Sequence, residues 1–535
     1  MKRRDFLMLG AGAGALAACS PWSRDMSTRI IRPGMAAGHL VRDGAPWPSA
    51  REEISTDVVI LGSGVAGLTA AWKLAREGHR RFVLVAGPEP GGNAAGGSTG
   101  AIAYPTGAHY LPLMSRESTH MREMLADCGV IVANASADEP EYDETVLVHA
   151  PRERLFVNSR WEEGLLPGEG AGGGEAAKLE HFFAAIEPYK QARGSDGRRA
   201  FVVPLELSSR DPRFTVLDQL SFAAWLDREG HTSPALRWYL DYVCRDEFGA
   251  PGERVSAWAG LHYFVARNGR ARNAAEGSVI TWPDGLAALM RMLTAKVDAR
   301  RNADWLRTGM AVRLEEKRAG VEALCIADDG KSSFVVRARR AICAMPLHVA
   351  ARVVVPLAGY GFDAARHLPP QAPWLVANFA LDRMPADKDG FPLAWDNVVY
   401  GGKGLGYVVA THQHIRQGPT VESVFTAYNA LSARTPQQAR EWLLNATRAE
   451  LEDVAAGDLL AVYGSRFWRR VRKLEITVRG HGMATPQPGF LANAGLAALR
   501  AADGRILFAH ADLSGYSVCE EAAWWGYRAA LRVLA

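Results

Sequence analysis

Between Asp57 and Val85 the chain places strand, glycine turn, helix and strand in close succession, and this limits its fold more than any other stretch. Asp57–Leu61 (DVVIL) is an apolar run of the kind buried on both faces of a parallel sheet. Gly62-Ser63-Gly64-Val65-Ala66-Gly67 follows it. Leu68–Glu77 then has helical periodicity, Gly78 ends the helix, and Phe82–Val85 is a second buried strand. The three glycines have separate tasks. Gly62 permits the tight turn, Gly64 lets the backbone approach a pyrophosphate, and Gly67 lets helix and strand pack closely. The N-terminus of the helix offers free N–H groups and a partial positive charge to phosphates, with Val65 and Ala66 in the turn before it. Gly62, Gly64, Val65, Ala66 and Gly67 are therefore the expected dinucleotide contacts. An acid should end the second strand, about 20 residues on, to hold the ribose hydroxyls. Val85 stands there instead. Glu89 either reaches back across a bent loop or is a solvated loop acid.

Val83–Asn93 reads VLVAGPEPGGN. It resembles the stretch ending in a Gly-Gly pair in the flavin amine oxidase family, which includes monoamine and polyamine oxidases. Protoporphyrinogen oxidase and the carotenoid desaturases are related FAD enzymes. The resemblance implies FAD as cofactor, with Gly91 and Gly92 letting the loop pass over it. Asn93 takes a position where the family usually has Arg, and Val85 one where it has Glu. The resemblance recurs in order along the chain. Pro105–Tyr110 (PTGAHY) is similar to the segment beside the isoalloxazine, which puts His109 and Tyr110 at the flavin. Pro283-Asp284-Gly285-Leu286 is similar to a Pro-Gly-Gly turn before an FAD-domain helix. Val312 matches a position whose backbone contacts the adenine. Ala341–Pro346 resembles the strand leading into the substrate domain. Arg505–Asp512 resembles an FAG-x-E/D signature, which places Asp512 at the ribityl chain, with His510 replacing the usual Gly.

The same resemblance implies the chemistry. FAD would accept a hydride at N5 from a substrate carbon. Ser514-Gly515-Tyr516 matches a tripeptide carrying one tyrosine of an aromatic cage; the cage partner falls near Gly482, which has no ring. Strand Trp374–Leu381, where the family carries a water-holding lysine, has Asn378 as its one polar group. Asn378 either holds that water or is an ordinary strand asparagine. The implied catalytic residues are Tyr516, His109, Tyr110 and Asn378. The implied function is oxidation of an amine, a polyamine among the candidates, with oxygen or a membrane quinone accepting the electrons. A desaturase or isomerase of a non-amine substrate is the first alternative, and a non-catalytic, exported FAD-binding protein the second.

At 535 residues the chain needs two or more domains. The expected fold class is α/β, a discontinuous Rossmann-type FAD-binding domain with an inserted α+β substrate domain. Residues 51–110, 276–346 and 491–535 make the first. Residues 111–275, mainly helical, and 347–490, with a sheet, make the second. Within them, Ser221 is an expected N-cap for a helix to Arg228, and Leu236–Arg245 repeats apolar residues at helical spacing. Leu286–Val297 reads as a helix, Ala311–Glu315, Val321–Ile326 and Phe334–Ala338 as a meander, and Glu520–Leu534 as a closing helix. Trp374–Leu381 and Leu405–Thr411 read as strands of the second sheet.

The ends and the charges add an address. Lys2, Arg3 and Arg4 precede a mild apolar run, Phe6–Ala18, too short to span a bilayer. Arg3-Arg4-Asp5-Phe6-Leu7 resembles a twin-arginine export motif, and Leu16-Ala17-Ala18-Cys19 a lipobox. Residues 1–19 are thus an expected signal read by the twin-arginine export machinery, with the mature protein in the periplasm, anchored through lipidated Cys19. Residues 20–50, rich in Pro, Gly and Ser, read as a linker, and Gly168–Gly174 as a flexible loop. Formal charge is +4, from 62 basic and 58 acidic side chains, with no basic block, which gives no reason to expect nucleic acid. The remaining five cysteines form no CxxC pair and join no His cluster, so no metal site is expected.

Overall fold

The computed structural model describes residues 26–44, 46–168, 174–301, 304–387, 391–415, 418 and 421–535. The signal-like segment with Cys19, and most of the glycine-rich loop after Gly168, lie outside the described residues.

The described chain opens with strand β1 (Ser27–Ile31) and helix α1 (Met35–Arg42). The expected unit follows as β2 (Ala50–Leu61), α2 (Val65–Arg76) and β3 (Phe82–Val85). β2 starts well before its apolar run, because its charged first half pairs with β7 at the solvent end of the sheet. Next come β4 (Glu153–Val157), α3 (Pro234–Phe248) and α4 (Ala257–Ala266). The meander is β5 (Met310–Lys317), β6 (Gly320–Ile326) and β7 (Ser333–Cys343). β8 (Gln371–Leu381), β9 (Asp396–Val399), β10 (Tyr407–Val409) and β11 (Ser423–Ala430) follow. Helix α5 (Pro436–Asn445), the long strand β12 (Val471–Ala484), β13 (Ile506–Phe508) and helix α6 (Cys519–Leu534) complete the set that shapes the site.

Two eight-stranded sheets organise the molecule. In the first, β3, β2 and β7 run side by side and parallel, β13 joins β7 in parallel, and β5–β7 form the antiparallel meander. Apolar runs such as Val58–Leu61 and Phe82–Val85 are fully covered because α2 and α6 close over the sheet. Beginning, middle and end of the chain meet there, as the spacing of the motifs predicts. The second sheet has the order β1-β12-β8-β11-β10-β9-β4 and ends on Arg160–Glu163. Its outer face packs on residues of α5 and on Arg448–Tyr463. A separate helical cluster holds α3, α4, Phe182, Phe201 and Phe222. Ser221 caps Phe222–Arg228 by accepting from Ala224 N–H at 3.2 Å.

Two expected boundaries are corrected. Residues 20–50 are not a plain linker, since β1 pairs in parallel with β12 and α1 lies against the first domain. Residues 111–275 are not helical throughout, since β4 pairs in parallel with β9 and extends the second sheet. Both strands are short edge pieces whose partners lie hundreds of residues away, so local periodicity does not mark them. Among the described residues no helix is long and apolar enough to cross a membrane.

Candidate active site

The turn after β2 is built as the glycines demand. Gly62 has φ +111°, and a Cβ on it would lie 2.8 Å from the Ala344 carbonyl oxygen. A Cβ on Gly67 would lie 1.8 Å from Gly62 O, so any side chain there would push α2 off the sheet. Gly64 is different: the nearest atom to its Cβ position is Gly91 O at 3.9 Å. Leu68 N–H closes on Gly64 O at 3.0 Å, which leaves the amides of Val65 and Ala66 ahead of the first intrahelical bond. These residues open onto a cavity of 1270 Å³, larger than a drug-sized pocket. Gly62, Gly64, Val65, Ala66, Glu89, Gly91, Gly92, Asn93, His109, Tyr110 and Asp512 all line it.

The loop over this cavity is held from the second sheet. Arg479 of β12 donates to both carboxylate oxygens of Glu89, at 2.8 and 2.9 Å, to Asn93 Oδ1 at 3.1 Å and to Thr106 O at 3.0 Å. Asn93 in turn donates to Gly482 O. Glu89 is therefore the partner of a buried arginine, neither a solvated acid nor an acid free to reach back to a ribose. Arg479 is a functional residue that the sequence reading missed, because nothing near it in the chain points to a loop so distant. Val312, expected to meet the adenine through its backbone, is buried and does not line the cavity, whereas Met310 and Ala311 of the same strand do. Asp512 lines the cavity. Burial would raise its carboxyl, but His510, with Nδ1 at 3.4 Å, and the Leu347 N–H at 2.9 Å outweigh that and hold it below the ordinary range.

Farther in, the cavity enters a chamber of rings and carboxylates. His109 stacks on Tyr428, with centroids 4.4 Å apart, and tilts against Trp395 at 5.6 Å; Tyr110 meets His109 edge-on at 5.1 Å. Tyr428 donates to Gly107 O at 3.0 Å, which ties the ring to the loop. Burial drops the His109 imidazole to about 3, so it is neutral at pH 7. From α3, Asp246 and Glu247 line the same space, with Arg267 and Glu520. Arg267 donates to Glu247 at 2.6 Å. Among the described residues no hydrogen bond reaches the Asp246 carboxylate, which lies half-buried on the cavity wall. Burial pushes Asp246 up to about 6 and Glu247 up to about 7, with Arg267 offsetting part of each. Neither acid stood out in the sequence, where both look like solvated charges on an amphipathic helix.

Two expected catalytic residues lie elsewhere. Tyr516 is fully buried in the helical cluster, edge-on to Phe248 and His262, and donates to Glu521 at 3.0 Å. It does not line the cavity. Asn378 donates to Pro105 O at 3.0 Å and accepts from Thr426 at 2.7 Å, so both ends of its amide hold protein. It ties the segment before His109 to the second sheet and does not line the cavity.

Comparison with known proteins fits this geometry. Residues 60–128 match the family described as NAD(P)-binding Rossmann-like domain. Lysine-specific histone demethylase 1 homolog 2 from Oryza sativa subsp. japonica is 27% identical over 221 residues, 36% of this chain. That match spans only 27% of the relative's own length. Among solved structures, wild-type putrescine oxidase bound to putrescine aligns with a TM-score of 0.63 at 15% identity, over 90% of this chain and 99% of its own. Cyclohexylamine oxidase from Brevibacterium oxydans IH-35A gives 0.60 at 17%, over 89% and 98%. A CLA-producing fatty acid isomerase from P. acnes gives 0.55 at 15%, over 89% and 98%. These likenesses show the fold: a Rossmann-like dinucleotide domain with an added substrate domain, as in the amine oxidases.

Proposed function

We propose that this chain is an FAD-dependent oxidoreductase acting on amines, with a diamine or polyamine as the substrate class. One observation carries the reading: a single cavity joins the glycine cradle to a ring-walled chamber holding three carboxylates, Asp246, Glu247 and Glu520, against one guanidinium, Arg267. The cradle fits the cofactor. Gly62 and Gly64, with the amides of Val65 and Ala66, hold a pyrophosphate; Gly91 and Gly92 pass close by it; Asp512 presents a carboxylate to hydroxyls of the linking chain. FAD, when bound, accepts a hydride from a substrate carbon. The chain's own residues bind and orient that substrate. Asp246 pairs with an ammonium, which supplies the hydrogen bonds its carboxylate lacks. Tyr428 and Tyr110 wall the chamber, exclude water and favour a cation over their faces. The excess of acid over base selects a substrate with more than one positive charge.

The test is an anaerobic absorption titration of the flavin-loaded protein with putrescine, spermidine and a simple monoamine. Bleaching by the polycations at lower concentration than by the monoamine is the expected result. A second reading is a redox-neutral isomerisation of an apolar chain, favoured by the lysine-free strand β8 and by the apolar wall of Trp374, Val376 and Met483. Flavin bands indifferent to every amine, with a double bond shifting in an added unsaturated fatty acid, would establish it. The electrons pass to oxygen or a membrane quinone.

Export is part of the same reading. Arg3, Arg4 and the Leu16–Cys19 run support folded export by the twin-arginine route and a lipid anchor in the periplasm. Replacing Arg3 and Arg4 by Lys is expected to leave the protein in the cytoplasm. Normal export of that variant would contradict the signal assignment.

A further inference from the structure

The arm from Met26 to Gly44 connects the two domains across one edge of the cavity. β1 is its first attachment. Five residue pairs, Ser27 with Lys473 through Ile31 with Thr477, join it to β12. Thr28 donates to Glu452 at 2.6 Å and accepts from Arg448 at 2.9 Å. α1 is the second. Gly34 sits against Pro88 in the loop after β3, and Val41 packs on the core of the first domain. Between these attachments Arg32, Met35, Gly38, His39 and Arg42 face the cavity. The opposite wall is Val85–Glu89 with Met310 and Ala311, at the carboxyl end of the parallel strands where a dinucleotide's ribose lies in such sheets.

That wall lacks its own polar anchor. Val85 has no acceptor, and both oxygens of Glu89 are taken by Arg479. The arm brings cationic and hydrogen-bonding groups, Arg32 and His39, to the same edge and roofs it. Met26 and Ile30 anchor the arm on the core under the second sheet, but the rest is lightly held: β1 is an edge strand, and no residue of α1 is fully buried. An element with so little buried surface opens far more readily than the sheets it bridges.

We propose that residues 26–44 belong to the cofactor site, as a clasp that closes over the adenosine half of the dinucleotide and sets how slowly it leaves. This rests on the FAD reading above. By linkage, a clasp that slows release of the cofactor is itself held shut by the cofactor, to the same degree.

Two measurements on the full-length, FAD-loaded protein test this. Ile30→Pro removes a β1 donor and loosens the attachment to β12. FAD release, followed by recovery of flavin fluorescence after dilution, is expected to be about ten-fold faster or more, while the flavin-free protein, which loses the Ile30 contact to the core of the second sheet, still melts in one cooperative transition. In the unaltered protein, trypsin cleavage after Arg29 and Arg42 is expected to slow by about ten-fold when FAD is added. Release within about two-fold of the parent, together with cleavage indifferent to FAD, would overturn the clasp alone. A parent that binds no FAD would instead overturn the reading on which the clasp rests.

Discussion

Asp246 is a carboxylate without a hydrogen-bond partner among the described residues, half-buried on the cavity wall. Such a group is costly when ionised, and an arriving ammonium removes that cost. Asp246→Asn is therefore expected to raise the KM for a diamine by about 10- to 100-fold while kcat changes little, since the lost contact is to the distal cation rather than to the reacting carbon. The pH dependence follows. Burial places the free carboxyl at about 6. It is ionised, and able to hold a cation, above that value, and affinity is lost as pH falls through it. Bound diamine draws the value back down, toward the ordinary carboxylate range. KM measured across this window should climb on the acid side in the parent and climb less in Asp246→Asn, where Glu247 still titrates at about 7. Tyr516 is the opposite case. Tyr516→Phe leaves Glu521 Oε1 with the Leu205 N–H as its remaining partner and is expected to cost about 0.5–1.5 kcal/mol in stability, read by denaturant unfolding, with kcat unchanged. A tenfold fall in kcat would return Tyr516 to the active site. The tripeptide Ser514–Tyr516 suggested a cage residue, but a tyrosine suits a core or a cavity equally. Which it meets depends on Phe248 and His262, which pack from another part of the chain.

At the scale of elements, the β2–turn–α2–β3 unit was readable because its cause is local. Apolar runs mark strands covered on both faces, and Gly62 and Gly67 are required by contacts within a few residues of themselves. Gly67→Ala puts a methyl group inside Gly62 O and is expected to destabilise by about 1–3 kcal/mol and to abolish FAD uptake, checked by melting and by flavin titration. β12 was not readable in this way. Its site residue, Arg479, acts on a loop about 390 residues earlier, and only pairing of β12 within the second sheet brings them together. Arg479→Met leaves Glu89 largely buried without its partner; a loss of about 2–4 kcal/mol is expected, larger than for a surface pair because the arginine is 9% exposed. The same variant frees the Gly91–Gly92 loop, so FAD affinity should fall with stability. Unchanged affinity would show that the loop holds its shape unaided. β1 and α1 escaped notice for a related reason. Their composition is that of a tether, and their order comes from partners in two different domains.

For the whole molecule, the order of motifs along the chain was enough to predict a dinucleotide domain assembled from three separate segments, and the first sheet has that construction. The substrate half was legible only in outline. Its chamber is made by the meeting of α3, the His109 segment and the second sheet, and no single stretch carries the pattern of acids and rings that results. The chamber is also what makes the claim of function specific, because the fold alone serves both amine oxidation and isomerisation in the proteins it resembles. The central claim is that this cavity holds FAD and presents it to a polycationic amine. The direct measurement is the absorption spectrum of the purified, flavin-loaded protein before and after anaerobic addition of putrescine, spermidine and a monoamine. Oxidised flavin bands that bleach with the polyamines, and do so less readily in Asp246→Asn, are the predicted result. A protein that takes up no flavin, or one whose bands ignore every amine, would contradict it.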